Sequence, residues 1–145
     1  VLGGARSGKS SFAENLVMAT GKGTYIATAE ARDNDMQQRI DNHRDRRGSD
    51  WQTIEAPLDL VAALTQAEGM GHSVLIDCLT LWLSNLMEAK RNIASEGTDL
   101  ISHVSRLHCP VVVVSNEVGQ GIVPANALAR LFRDHTGILN QAVAA

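Results

Sequence analysis

Excess positive charge is missing from this chain: its 145 residues carry 13 Lys and Arg against 16 Asp and Glu, a formal net charge of −3. With a pI near 5.9, that balance argues against a dedicated nucleic-acid or anionic-membrane surface. Cysteine is scarce as well. Cys78 and Cys109 are the only two, without C-x-x-C spacing or a metal-ligand cluster around them, so two free thiols in a reducing cytosol are expected. No apolar run reaches the length of a membrane span, and no charged-then-apolar leader precedes the first motif. The expected location is the cytoplasm. Repeats, low-complexity tracts and long linkers are also lacking, which leaves a single domain spanning residues 1–145, large enough for one substantial core.

What is present is an alternation of short apolar runs with helical periodicity, the rhythm of a parallel sheet covered by helices. Strands are predicted at Thr24–Thr28, Ser73–Cys78 and Val111–Ser115, after a stub at Val1–Leu2. The runs Val74-Leu75-Ile76 and Val111–Val114 are continuously apolar, as strands buried on both faces should be. Helices are predicted near Lys9–Thr20, Asp33–Arg47, Leu58–Ala67, Leu79–Lys90, Asp99–Leu107, Ala125–Asp134 and Thr136–Ala144, with Arg91–Thr98 as a flexible connection. Ala29–Pro57 is a long excursion between strands, of the kind that carries function. The stub before residue 3 and the uncapped helical stretch Gln141–Ala145 suggest trimmed ends, with edge elements of the sheet missing.

Gly3-Gly4-Ala5-Arg6-Ser7-Gly8-Lys9-Ser10 satisfies G-x-x-x-x-G-K-[ST] in full and runs into a helix. Glycines let backbone N–H groups turn inward around phosphate oxygens at the positive end of that helix. Lys9 is placed for the β and γ phosphates, and the Ser10 hydroxyl for Mg²⁺. The expected fold class is therefore α/β, a P-loop NTPase-like, mostly parallel sheet flanked by helices. Asp77, after three buried aliphatics, is the candidate second metal ligand, since a carboxylate there is costly without a cation or donors. An ordinary helix N-cap before Leu79 is the competing reading, with Thr80 also able to cap. No N-K-x-D guanine-reading element is present; Ser115-Asn116-Glu117-Val118 does not match it, which argues against a switch GTPase.

The stretch Asp33–Arg47 reads as a charged helix with a narrow apolar stripe. Met36, Ile40 and His43 fall at i, i+4 and i+7 and share one face. Arg39, Arg44, Arg46 and Arg47 surround His43, attracting triphosphate and disfavouring protonation of the ring. A neutral imidazole is a nucleophile. Two readings stand on spacing: a nucleophilic His43, or a half-buried histidine on a solvated helix whose arginines pair with Asp41 and Asp45. His72, His103, His108 and His135 show no ligand spacing and read as surface residues.

With these motifs in hand, the chain resembles the bifunctional adenosylcobinamide kinase/adenosylcobinamide-phosphate guanylyltransferase family of cobalamin biosynthesis. The resemblance runs in order through the phosphate loop, Tyr25–Ala29, Asp35-Met36, Arg39-Ile40, His43-Arg44, Arg47, Trp51, Thr53, Glu55 and Pro57. Ser115–Pro124 is its most specific segment, followed by Ala129-Arg130, Phe132–Asp134, Gly137 and Asn140-Gln141. It implies phosphorylation of the aminopropanol hydroxyl of adenosylcobinamide, then GMP transfer from GTP onto that phosphate through a histidine phosphoramidate. His43 matches that histidine; where some relatives have a His-His pair, this chain has Asn42-His43. The resemblance further implies that Ala27, Thr28, Ala29, Arg44, Asp45, Arg46, Arg47 and Glu55 line the GTP site, that Asp77 contacts metal or nucleotide, and that the chain forms a homotrimer. The Gly119–Pro124 loop is expected near nucleotide or corrinoid, or as a tight structural turn. At 3% aromatic residues, the chain has no evident stacking platform for a macrocycle. Expected partners are GTP or ATP with Mg²⁺, and adenosylcobinamide and its phosphate, with no nucleic acid.

Overall fold

The structure, a computed structural model, describes residues 1–31 and 34–145; on its second helix the side chains at positions 35, 36, 39, 42, 43 and 46 lie outside the described residues. Five parallel strands form the sheet: β1 (Leu2–Gly3), β2 (Gly23–Ala27), β3 (Trp51–Glu55), β4 (Ser73–Asp77) and β5 (Val111–Asn116). Their order is β1-β5-β4-β2-β3. Six helices connect and cover them: α1 (Lys9–Met18), α2 (Asn34–Arg46), α3 (Leu60–Glu68), α4 (Leu79–Glu88), α5 (Ile93–Val104) and α6 (Ala127–Ala144).

Successive residues of β2 and β4 face opposite sides of the sheet, and each side has its own core. Ile26, Val74 and Ile76 join Leu64, Trp82, Leu86, Leu100 and Leu139 in the larger cluster, beneath α3 to α6. Tyr25 and Leu75 join Ala13, Val17, Cys78 and Val114 in the smaller one, beneath α1. Burial on both faces explains the continuous apolar runs of the central strands.

Three expectations are corrected. The Ala29–Pro57 excursion contains a strand as well as a helix: β3 pairs in parallel with β2, Trp51 opposite Gly23 and Glu55 opposite Ala27. As an edge strand it is only partly covered, so its polar sequence carried no buried-strand signature. Arg91–Thr98 is not a flexible connection. Asn92 caps α5, its side chain accepting from the Ser95 N–H at 3.1 Å, and Gly97 lies buried inside the helix. The final two helices are one, α6, which runs unbroken through His135-Thr136, with the Thr136 hydroxyl bonding back to the Phe132 carbonyl at 2.7 Å.

Candidate nucleotide and phosphoryl-transfer site

The site lies at the carboxyl ends of the strands, where parallel sheets bind ligands. Between β1 and α1 the phosphate loop turns through two left-handed residues, Arg6 at φ 55° and Gly8 at φ 84°. Gly8 is the N-cap of α1 and offers no side-chain cap, so the first amides of the helix remain for an anion. A side chain at Gly3 would stand 2.8 Å from Ser7 Oγ, which keeps that position backbone only. The Lys9 ammonium lies over its own loop and donates to the Gly4 carbonyl at 2.6 Å.

A cleft of about 500 Å³ opens beside this loop. Ala5, Arg6, Lys9 and Ser10 form one wall, and Ala27, Ala29, Asp77 and Asn116 contribute from strand ends. Ile40 and Arg47 arrive from α2 and the turn after it. Residues separated by more than 70 positions thus meet in one space. Ser10 and Asp77 both line it. A hydroxyl and a carboxylate are hard oxygen donors suited to Mg²⁺, which needs few protein ligands when phosphates complete its shell.

Asp77 is not the cap of α4. That position belongs to Cys78, and the Asp77 carboxylate instead accepts from the Tyr25 hydroxyl at 2.9 Å. Registration makes this possible: Tyr25 lies opposite Leu75 and Ala27 opposite Asp77, so Tyr25 and Asp77 are diagonal neighbours on one face. The same row continues through Ala27 to Glu55, on the same side of the sheet about 10 Å from Asp77, two strand spacings away, though Glu55 does not line the cleft.

Arg47 is the unusual group. Its side chain is only 6% exposed and stands 3.9 Å from the Glu14 carboxylate on α1. The guanidinium carbon lies 3.4 Å from the centre of the Tyr25 ring, close enough for a cation–π contact, and Trp51 meets the ring edge-on at 6.1 Å. Nε and Nη1 of Arg47 are buried and, among the described residues, without a hydrogen-bond partner, while the residue itself lines the cleft. Burial first, then the Asp77 charge, raises the Tyr25 phenol far above its ordinary pKa, so it stays a donor. Burial likewise pushes the Cys78 thiol up, making this cleft-lining sulfur a poor nucleophile at neutral pH.

The remaining predicted residues separate. Gly3 and Gly4 shape the loop, and Ser7 and Gly8 are exposed on it. Thr28 is fully buried and acts on the backbone: its hydroxyl donates to the Cys78 carbonyl and accepts from the Cys78 N–H, each at 2.8 Å. Arg44 and Asp45 are exposed on α2 and do not line the cleft. The side chains of His43 and Arg46 lie outside the described residues; Ile40, one turn before position 43, does line the cleft.

Sequence reasoning passed over Tyr25 and Asn85. Asn85 is buried in α4 and donates to the carbonyls of Thr28 and Pro57 at 2.8 and 2.9 Å, fixing the edges of the site. A polar side chain on the apolar face of a helix was the available signal. Beyond β5, the Glu117 N–H donates to the Gly3 carbonyl at 3.1 Å, and its carboxylate accepts from the Gly119 N–H at 2.7 Å. A second cleft of about 560 Å³ lies between this loop and Leu2–Gly4, so the Gly119–Pro124 segment begins beside the phosphate loop.

Fold and site together define a P-loop NTPase-like α/β protein with its phosphate loop open to a cleft. Across residues 1–145 the chain matches the family described as cobinamide kinase / cobinamide phosphate guanyltransferase, and it belongs to that family. It is 44% identical to the bifunctional adenosylcobalamin biosynthesis protein CobP of Pseudomonas aeruginosa, over 99% of this chain and 85% of that protein. The bifunctional adenosylcobalamin biosynthesis proteins CobU of Salmonella typhimurium and Escherichia coli are 39% and 38% identical, each over all of this chain and 88% of their own length. The chain is accordingly a transferase. Among the described residues, no helix is long and apolar enough to cross a membrane.

Proposed function

We propose that this enzyme phosphorylates the aminopropanol hydroxyl of adenosylcobinamide and then transfers GMP from GTP onto the resulting phosphate, through a covalent GMP adduct on His43. The observation that carries the reading is the single cleft into which Lys9, Ser10, Asp77 and Arg47 all open. It joins a phosphate cradle to the helix bearing the candidate nucleophile.

In the kinase step the loop amides and Lys9 hold the triphosphate. The acceptor hydroxyl oxygen bonds to the γ-phosphorus, the bond to the β-phosphate oxygen breaks, a nucleoside diphosphate leaves and the hydroxyl proton is released. In the guanylyl step an imidazole nitrogen of His43 bonds to the α-phosphorus of GTP and pyrophosphate leaves. The phosphate oxygen of adenosylcobinamide phosphate then bonds to the same phosphorus, the P–N bond breaks and free His43 returns. Dividing the transfer lets one anion depart before the other must approach. Ser10 and Asp77 would hold Mg²⁺, which when bound neutralises charge on the phosphate oxygens. Arg47 supplies a fixed cation for the nucleotide phosphates, and the Glu55 row offers an acceptor farther along the same side of the sheet. We assign a homotrimeric cytoplasmic assembly on the family resemblance alone, with ATP or GTP as kinase donor.

GTP labelled at the α or γ phosphate, given to the wild type and to His43→Ala, tests the reading. Acid-labile, alkali-stable α-label on the wild type and none on the variant is expected. Absence of α-label with γ-transfer intact would leave only a kinase. Neither activity with GTP still bound would reduce the protein to a nucleotide-binding module.

A further inference from the structure

Tyr25 is the only tyrosine of the chain, and its position is overdetermined for a core residue. It is 6% exposed, yet its hydroxyl reaches the cleft, 2.9 Å from Asp77 Oδ2. Its ring is held on one face by Arg47 at 3.4 Å and at its edge by Trp51, with an interplanar angle of 78°. Strand β2 fixes the Cα and the two contacts fix the ring, so the position of the hydroxyl oxygen is fixed too. Toward the Asp77 carboxylate the phenol O–H donates. Taking up Oδ2 leaves Oδ1 as the Asp77 oxygen for the cation or its water.

We propose that Tyr25 is a positioning residue for the metal-phosphate chemistry: its hydroxyl orients the Asp77 carboxylate, and Arg47 stacked on its ring ties that carboxylate to the end of α2. The inference rests on Asp77 and Ser10 as the Mg²⁺-holding pair. Second partners that orient a ligating group typically change metal affinity or activity by about 10–100-fold, and one charge-assisted hydrogen bond falls at the lower end. Arg47 leaves the helix that carries His43, so the orientation acts on both transfers. The phosphate loop binds triphosphate by its own amides and Lys9, so metal-free nucleotide binding should not depend on the phenol.

The test compares wild type and Tyr25→Phe, which keeps the ring and both of its contacts. Mn²⁺ is titrated into the complex with the non-hydrolysable β,γ-imido analogue of GTP, and free Mn²⁺ is followed by electron paramagnetic resonance. The variant is expected to bind Mn²⁺ about 10-fold more weakly, with unchanged analogue affinity in the absence of metal. In both reactions kcat at fixed Mg²⁺ should fall while KM for nucleotide holds. Equal Mn²⁺ affinity in the two proteins overturns the positioning role even if stability has dropped. Failure of the wild-type complex to bind Mn²⁺ more tightly than the analogue alone overturns the Asp77–Ser10 site itself, and this inference with it. Should Tyr25→Phe not fold, 3-fluorotyrosine incorporated throughout labels this residue uniquely. A fluorine resonance that moves when Mg²⁺ joins the nucleotide complex supports the role, and one indifferent to Mg²⁺ overturns it.

Discussion

The two faces of the sheet are built on different principles. Beneath α3 to α6 the core is large and almost wholly apolar, with Leu60, Leu64, Ile76, Leu79, Trp82 and Leu86 each at most 1% exposed. Beneath α1 it is small, and polar groups occupy space that aliphatics fill on the other side: Glu14, Arg47, Tyr25 and Asp77 form a chain from α1 across β2 to the end of β4. Stability is concentrated on the first face and chemistry on the second. A buried cation with unfilled donors costs free energy, and such a cost is tolerated where a ligand will satisfy it.

That division is open to direct attack. Leu64→Ala, on the apolar face, should cost about 2–5 kcal/mol of stability in a denaturant titration, with activity per folded molecule retained. Loss of activity without loss of stability would show the faces to be coupled. Lys9→Ala should do the reverse. It should lower kcat of both transfers by about 10²–10³-fold, with the unfolding midpoint moving little, since the ammonium's hydrogen bond goes to the Gly4 carbonyl of its own exposed loop.

Raised pKa values of Tyr25 and Cys78 bear on the same contrast. Both groups bind their protons more tightly when folded, so their stabilising contribution is complete below the ordinary thiol pKa of about 8.5 and falls as pH rises above it. Equilibrium unfolding from pH 7 to 10.5 should therefore show declining stability, less steep in Cys78→Ala. An unchanged slope in that variant would remove Cys78 from the account. The smallest effect belongs to α6, where Gly137 has open space around a would-be Cβ. Gly137→Ala should raise stability by about 0.5–1 kcal/mol, read as a higher melting temperature.

Legibility in the sequence followed the range of the interactions. The phosphate loop is eight consecutive residues whose geometry is set by local backbone freedom, and it stands where its motif placed it. Strands β2, β4 and β5 were readable within about a residue at each end, because burial on both faces imposes continuous apolarity. Edge strand β3 was not readable, since Trp51–Glu55 is only partly covered and looks like loop until β2 is beside it. The interruption expected at His135-Thr136 failed for a related reason: a hydroxyl returning to the helix backbone satisfies itself without ending the helix.

The sequence alone determined that this chain carries a phosphate-loop motif, that it is built on a parallel sheet, and which family it resembles. Each of these is written in contiguous residues or local periodicity. Only the tertiary structure decided that Asp77 answers to Tyr25 rather than capping α4, that Thr28 spends its hydroxyl on the Cys78 backbone, and that Arg47 lies buried over an aromatic ring with donors to spare. Those outcomes depend on strand register and helix docking, which bring together residues 22 to 52 positions apart. No local rule of spacing contains that information.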